Sequence, residues 1–363
     1  MQKRIAIIGT HGVPAKYGGF ETLSDYLCQH LGADYSMTVY CYNKLYPDKL
    51  RSYHHAKLIY LPIYASGFKG IFYDLVSYIH ALIFSDIILF LSPVGSGFIA
   101  PLKYLFGKRL IVNHGGLNEW EREKLSFFQK KFAKYNHWIA AKVANVNIAD
   151  NELYKVSLLK NFGTTSVVIK YGGDHAQMPI MTRELYKKYS YLNSKYAVSV
   201  SRAQIDNNLH LVLEAFEKFG NYKLVLISNW DVSAYSRNLY QKYKDYPNII
   251  LQSAVYDIAE LNAIRGSAFC YIHSHSRCGS SPSLIEAMNI GQAIISYDVP
   301  TNRETTHNKA FYFKNAEDLF DILSVLSLSE IERNKIIMKD IAVKEYSWKI
   351  VSNQYRQIID GVL

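Results

Sequence analysis

Short apolar runs alternate with helix-length periodic segments along the whole 363-residue chain, and they do so twice over. Runs of three to six mainly apolar residues bounded by Gly, Pro, Asn or Asp suit buried parallel strands, and the segments between them suit covering helices. In the first half, strands are expected at residues 5–8, 37–42, 58–61, 87–91, 110–113, 143–148 and 167–169. Helices are expected at 22–31, 73–84, 119–142 and 152–162. The pattern stops at Tyr171-Gly172-Gly173-Asp174 and then restarts. Strands follow at 196–200, 223–227, 249–251, 268–272, 293–296 and 310–313, with helices between them and a helical tail from 316. The expectation is an α/β chain of two Rossmann-like, doubly wound parallel-sheet domains, residues 1–172 and 173–349, facing a central cleft. In open sheets of this kind ligands sit beyond the carboxyl ends of the strands.

Forty-one basic against 31 acidic residues leave a net charge of +10, which suits a phosphate-bearing partner: nucleotide, nucleic acid or anionic membrane. The charge is dispersed and no nucleic-acid recognition module is visible, so a nucleic-acid partner is not expected. The four cysteines, Cys28, Cys41, Cys270 and Cys278, lack metal-type spacing and read as reduced thiols of a cytoplasmic protein. The apolar run at the N-terminus spans four residues, too short for a signal peptide. The longer apolar region 75–102 is interrupted by His80, Asp86, Ser92-Pro93 and Gly95-Ser96-Gly97, so it reads as a helix and a buried strand rather than a membrane span.

The densest chemistry lies in His273-Ser-His-Ser-Arg-Cys-Gly-Ser-Ser-Pro-Ser-Leu-Ile-Glu-Ala-Met288. A buried strand runs into a Gly/Ser loop, and a helix opens near Pro282, which suits the first helical turn. Ser281 or Ser283 can cap it. Loop amides and the open N–H groups of a first turn converge where the helix dipole favours negative charge. Gly279, Ser280, Ser281, Ser283 and Leu284 are therefore candidate donor-binding positions. Glu286, one turn further in, can accept from ribose hydroxyls. An ordinary capped helix after a strand has the same pattern. Arg202 leaves the end of the first strand of the second domain, where a guanidinium can clamp a diphosphate or simply lie on the surface. His114 follows the strand ending at Asn113 and can bond a sugar or phosphate, or pack behind the site. At the N-terminus a first strand runs into Gly9-Thr-His-Gly-Val-Pro-Ala-Lys-Tyr-Gly-Gly-Phe-Glu21, whose Gly18-Gly19 pair permits close backbone approach. Residues 119–142 mix lysines with aromatics, which suits either an anionic membrane surface or a solvated helix with one core face. There is no D-x-D, H-E-x-x-H, Walker or G-x-S-x-G motif, and His273, His275 and Cys278 have irregular spacing for a metal. No metal requirement is expected.

With these residues in view, the chain resembles the GT-B glycosyltransferases of family four. The Pro282-Ser-Leu-Ile-Glu-Ala-Met288 segment followed by Gly291-Gln-Ala-Ile-Ile-Ser296 carries the general likeness. Gly9 to Thr22 is similar to a subgroup of bacterial rhamnosyltransferases that build capsule and O-antigen-type surface polysaccharides. Further agreement lies at Glu119-Trp-Glu-Arg-Glu-Lys124, Asp206-Asn-Asn208 and Asp298-Val-Pro-Thr-Asn-Arg-Glu304. Tyr346-Ser-Trp348 resembles the motif before a last helix, here 350–363, which crosses back to the first domain in this family.

The resemblance implies a retaining transferase that moves L-rhamnose from dTDP-L-rhamnose to a lipid-linked saccharide. It would work without a metal, in the cytoplasm and peripherally on the inner face of the membrane. It implies Arg202, His114 and Glu286 as catalytic residues, and Gly18, Gly19, Asn207 and the Gly279 loop as the donor site. Glu21, Glu119, Trp120 and Arg122 would lie on the acceptor side. Two positions depart from the family: Cys278 stands where the first glutamate of Glu-x(7)-Glu is usual, and Asn207 where a phosphate-binding lysine is usual. Gly115 and Asn118 depart from the subgroup on the acceptor side. Alternatives are a UDP- or GDP-sugar donor, a nucleotide-sugar epimerase, a phosphorylase, and a scaffold that binds nucleotide without turnover. A nicotinamide oxidoreductase has little support, since neither glycine loop carries the dinucleotide fingerprint.

Overall fold

A computed structural model describes residues 2–16, 18–116, 118–121, 125–277 and 279–362, with the Glu119 side chain left aside. The chain divides into two compact units, Met1–Lys170 with Trp348–Leu363, and Tyr171–Ser347. Each is built on a mainly parallel sheet, so the two-sheet α/β architecture expected from the alternation is the one found.

The first unit contains strands β1 (Arg4–Ile8), β2 (Ser36–Tyr42), β3 (Ser52–Tyr53), β4 (Ala56–Leu61), β5 (Ile87–Leu91), β6 (Arg109–Asn113), β7 (Val146–Ala149) and β8 (Val167–Val168). Their order across the sheet is β3-β4-β2-β1-β5-β6-β7-β8, and only β3 is antiparallel. Between them lie α1 (Gly19–Leu31), α2 (Gly67–Phe84), a 3-10 segment (Gly97–Phe106), α3 (Phe127–Val143) and α4 (Glu152–Phe162). The steps from β4 to β5, β5 to β6 and β6 to β7 all run one way across the sheet, and the step from β1 to β2 runs the other. Right-handed crossovers therefore put α2, the 3-10 segment and α3 on one face and α1 on the opposite face. All five residues of β5 are buried, as a strand covered on both faces requires.

The second unit holds α5 (Arg183–Lys188), β9 (Tyr196–Val200), α6 (Leu209–Lys218), β10 (Lys223–Ser228), α7 (Ala234–Tyr243), β11 (Ile249–Ser253) and α8 (Ile258–Gly266). It continues through β12 (Cys270–His273), α9 (Pro282–Ile290), β13 (Ile294–Tyr297), α10 (Pro300–Thr305), β14 (Phe311–Phe313), α11 (Ala316–Val325) and α12 (Leu328–Glu345). Its all-parallel sheet has the order β11-β10-β9-β12-β13-β14. The last helix, α13 (Trp348–Gly361), belongs to the first unit. There Trp348 stacks on Tyr26 with ring centroids 4.5 Å apart, and Asn113 Nδ2 donates to the Tyr355 hydroxyl at 2.7 Å.

Three elements differ from the sequence expectation. The α2 helix starts at Gly67 rather than near residue 73. The stretch expected as one helix over 119–142 has a 3-10 turn at Glu119–Glu121, and α3 begins only at Phe127. The reason is local: Ser126 Oγ accepts from the Gln129 N–H while the Gln129 side chain accepts from the Ser126 N–H, a capping box that sets the start. The short strand β3 had no sequence signal. Cys28, Cys41 and Cys270 are free and buried. Cys278 lies outside the described residues. Among the described residues no helix is long and apolar enough to cross a membrane.

Candidate active site

In the second unit the chain leaves β9 toward β10 on one side and later returns to β12 on the other, so the order reverses between β9 and β12. This is the switch point at which open α/β sheets leave a crevice for ligands. The loop after β9 carries Arg202 and the loop after β12 carries Gly279. Hydrogen bonds stitch them together. Ser274 Oγ donates to the Asn207 carbonyl at 2.5 Å, and Asn208 Nδ2 donates to the Ser274 carbonyl at 3.1 Å. Ser276 donates to the Asp206 carbonyl through its N–H at 3.0 Å and through its hydroxyl at 2.8 Å. His275 Nε2 lies 2.8 Å from Ser201 Oγ. From the third side, Asn302 Nδ2 donates to the His275 carbonyl at 2.9 Å.

Within this frame Arg202 is exposed, and its guanidinium has no hydrogen-bond or ion-pair partner among the described residues. Its backbone is fixed, because the Arg202 carbonyl accepts from Asn207 Nδ2 at 2.7 Å. Asn207 thus serves the loop through one N–H of its side-chain amide. His275 is held neutral: burial pushes its pKa down to about 4, and the neighbouring Arg202 charge pushes the same way. The positive charge of the pocket is therefore that of Arg202 and not of the imidazole.

The α9 helix starts at Pro282 after Ser281, with no side-chain cap, so the capping roles expected for Ser281 and Ser283 are not found; their hydroxyls instead lie 3.3 Å apart. Leu284 and Ile285 both donate to the Ser281 carbonyl at 3.1 Å. The Leu284 amide is thus engaged within the turn, and its side chain is fully buried. Pro282 has no N–H, so the amides left without an intrahelical acceptor at this helix start are those of the N-cap Ser281 and of Ser283. Ser280 is buried beside them.

Glu286 is pinned from two sides. Its Oε2 accepts from Arg265 Nη1, and its Oε1 lies 3.2 Å from His175 Nε2. Burial alone would raise its pKa, but the Arg265 guanidinium and His175 outweigh that and hold it down at about 2. A carboxylate can accept four hydrogen bonds, so a ribose hydroxyl can still join these partners. Arg265 and His175 carried no motif; Arg265 is buried within α8 and His175 follows the Gly172-Gly173 pair.

The first unit has its own switch point, between β1 and β5. Gly18, at φ 105°, precedes α1, and Gly19 is the first helical residue. Glu21 is buried and anchors the loop: its Oε1 accepts from the His11 N–H at 2.9 Å and lies 2.6 Å from His11 Nδ1. His11 Nε2 lies 2.7 Å from Ser66 Oγ at the start of α2. About two turns on, Asp74 accepts from Ser96 Oγ at 2.5 Å, and burial lifts its carboxyl to about 7. Asp74 was not singled out in the sequence.

Two expected site residues prove to be internal. His114 is fully buried, with Nε2 2.8 Å from Asn147 Oδ1 and Nδ1 3.1 Å from His137 Nδ1. The expectation that it contacts a sugar is therefore corrected: both ring nitrogens are occupied inside the fold. Trp120, expected on the acceptor side, is likewise buried, against His137 and Phe162. Arg122 and the Glu119 side chain lie outside the described set. Among the described residues no group of three or more His, Cys, Asp or Glu is placed to hold a metal.

Comparison with known proteins agrees with this architecture. Residues 182–340 match the family of glycosyl transferases group 1, and residues 2–174 match a domain of unknown function (DUF1972). No curated protein sequence matches the chain. Among solved structures, sucrose-phosphate synthase from Thermosynechococcus elongatus is similar over 99% of this chain and 98% of its own, at 15% identity and a TM-score of 0.82. HepE of Anabaena, solved in complex with UDP-glucose, is similar over 99% and 100% of the two chains, at 13% identity and a TM-score of 0.76. A glycosyltransferase from Rickettsia africae covers 99% and 98%, at 16% identity and a TM-score of 0.74. The chain carries a group 1 glycosyltransferase domain within a two-domain GT-B fold, and it is a glycosyltransferase.

Proposed function

We propose that this glycosyltransferase uses a nucleoside-diphosphate sugar and transfers its sugar with retention to a saccharide acceptor. The observation that carries this reading is the β9/β12 switch point, where the loop of Arg202, whose guanidinium has no partner among the described residues, is bonded to the loop that leads into the uncapped start of α9. A departing nucleoside diphosphate gains negative charge in the transition state. Fixed donors aimed at that charge lower the barrier without reorganising. Arg202 and the Gly279, Ser281 and Ser283 amides are those donors. Glu286, already oriented by Arg265 and His175, takes the ribose. The acceptor hydroxyl attacks from the side of the leaving group and passes its proton to a phosphate oxygen, so no dedicated base is required. HepE, with UDP-glucose bound, is one protein of this fold that holds a donor of the same class.

The donor assigned is dTDP-L-rhamnose. Its support is the likeness of the Gly9–Thr22 loop to rhamnosyltransferases and the absence of the usual glutamate and lysine at Cys278 and Asn207. The acceptor assigned is a lipid-linked saccharide of a capsule or O-antigen pathway, met at the inner face of the membrane. The DUF1972 part, with its His11–Glu21 and Asp74–Ser96 pairs, is the acceptor side.

The test is a calorimetric and thermal-shift panel of dTDP, UDP, GDP and ADP and their sugar conjugates. A ligand that binds only the native state raises its apparent stability by mass action. Selective stabilisation by dTDP and dTDP-rhamnose is expected. Preference for UDP or GDP would keep the transferase and replace the donor. Stabilisation by none of them would remove the nucleotide reading.

A further inference from the structure

Buried and exposed apolar residues are distributed unevenly over the first unit. Every Phe and Trp side chain that is exposed among the described residues lies on α2, the Gly97–Phe106 segment or α3. The most exposed of them are Phe128 at 80% and Phe68 at 76%, and Leu105 in the same layer reaches 77%. The α2 helix shows how this arises. Gly70, Tyr73, Ser77 and Ala81 face the sheet, while Phe68, Phe72, Val76, Ile79 and Ile83 form a second stripe at helical spacing on the solvent side. A helix that needed only a core face would carry polar residues there.

The three segments lie side by side on one face of the sheet. The Phe98 N–H donates to Asn136 Oδ1 of α3 at 2.9 Å, and the Tyr78 hydroxyl of α2 donates to the Ala100 carbonyl at 2.8 Å. Their outer surface is therefore continuous, and it is basic. It carries Lys69, Lys130, Lys131, Lys134 and Lys142, and the one carboxylate of the three segments, Asp74, is not on it but turned inward against Ser96. Lys131 lays its ammonium 4.4 Å from the Phe127 ring centroid, the posture of a side chain whose stem covers apolar surface while its head stays wet. Between α3 and α4 a shallow depression of about 250 Å³ is lined by Lys131, Lys134, Tyr135, Trp138, Asn161 and Phe162.

We infer that the outer face of α2, the Gly97–Phe106 segment and α3 docks on an anionic phospholipid bilayer, with its aromatics in the headgroup layer and its lysines on the lipid phosphates. This rests on the peripheral-membrane part of the proposed function and not on the choice of donor. Charge selects the occupant. A second copy of the same face would set lysines against lysines, whereas anionic headgroups complement them. No described helix can span the bilayer, so the face lies on the membrane and not in it.

The experiment is co-sedimentation of the full chain with phosphatidylglycerol vesicles and with phosphatidylcholine vesicles, at low and high salt. Binding to phosphatidylglycerol is expected to exceed binding to phosphatidylcholine by at least about tenfold and to weaken with salt. Lys131→Glu with Lys134→Glu, and separately Phe127→Ser with Phe128→Ser, are each expected to lower the partition at least about tenfold, with unchanged melting temperature and nucleotide binding. Ile336→Ser with Val343→Ser, exposed apolar residues of α12, serve as the control and are expected to bind like the parent. Trp138, which is exposed, supplies a direct readout: its emission, isolated by comparison with Trp138→Phe, is expected to be quenched by bromolipids. If the parent binds vesicles and both double variants bind equally well, the docking face is wrong while membrane association stands. If the parent binds neither vesicle, the face and the peripheral reading both fall, and the donor is still judged by the nucleotide panel.

Discussion

The Arg265 guanidinium donates to the Glu286 carboxylate from within α8, where it is buried and also donates to Asn262 Oδ1 at 2.7 Å. The pair orients the residue assigned to the ribose, and neither partner can be removed alone without leaving the other uncompensated. Arg265→Met is expected to destabilise the second unit by about 3–5 kcal/mol, the usual result of breaking one side of a buried pair. Glu286 is held at about 2 against an ordinary 4.5, so its contribution to stability is present above 4.5 and lost as pH falls through about 2. Denaturant midpoints measured across that window check this. A Glu286→Gln variant should lack this part of the acid dependence, and an unchanged acid limb would show that the pair does not hold the carboxylate charged.

Arg202 stands in the opposite situation, exposed and unpaired among the described residues. Arg202→Ala should leave the melting temperature where it is. It should weaken nucleoside-diphosphate binding about tenfold to a hundredfold, from the roughly 1.5–3 kcal/mol of a hydrogen bond to a charged group. Arg202→Lys should recover part of the loss, since a point charge keeps the attraction but not the fork geometry. Calorimetric titration with the best nucleotide of the panel decides. An Arg202→Ala variant that binds as tightly as the parent would remove Arg202 from the site.

What could be read from the sequence followed from backbone pattern. The strands other than β3 and the loop-to-helix transition at Pro282 are marked by short apolar runs and small residues, and the fold has them there. Side-chain direction was not marked. His114 leaves a strand end that opens toward a ligand crevice, yet its ring turns inward because Asn147 and His137 offer partners there. Trp120 turns inward by packing, its ring set against His137 and Phe162 with no hydrogen bond from its Nε1. Arg265 meets Glu286 from 21 residues earlier, and Ser96 meets Asp74 from 22 residues later; neither spacing matches a helical or strand period. Asp74 was hidden further because it interrupts an apolar stretch and reads as the polar face of a helix.

Asp74 gives a prediction on the acceptor side. Burial raises its carboxyl to about 7 from an ordinary 3.8, against the opposing pull of the Ser96 hydrogen bond and the His11 charge. Its folded value is raised, so the stability it contributes is full below 3.8 and is lost as pH rises through about 7. Asp74→Asn keeps an acceptor for Ser96 and removes the titration. The variant should show a flatter dependence of melting temperature on pH over that interval. Turnover, with an acceptor in hand, should lose a limb near pH 7 that the parent shows. Identical pH profiles for parent and variant would mean that Asp74 does not titrate in the working enzyme.

Four buried imidazoles give the last prediction. Burial pushes His114 and His275 down to about 4, and holds His137 and His273 well below the ordinary 6.5. Each is neutral in the native state and free to take a proton when unfolded. The unfolded chain therefore binds more protons over this range, and stability must fall as pH drops from 6.5 toward 4. Two of the four lie in each unit, so both units should lose stability on mild acidification, well before Glu286 is protonated. His137 is the most informative to replace, because its Nε2 has no hydrogen-bond partner and its ring already packs against Trp120. His137→Phe keeps that packing and deletes one titrating group. It should shrink the loss of stability between pH 6.5 and 4, measured as denaturant midpoint against pH, while a slope equal to the parent's would show that His137 takes its proton as readily in the folded chain as in the unfolded one.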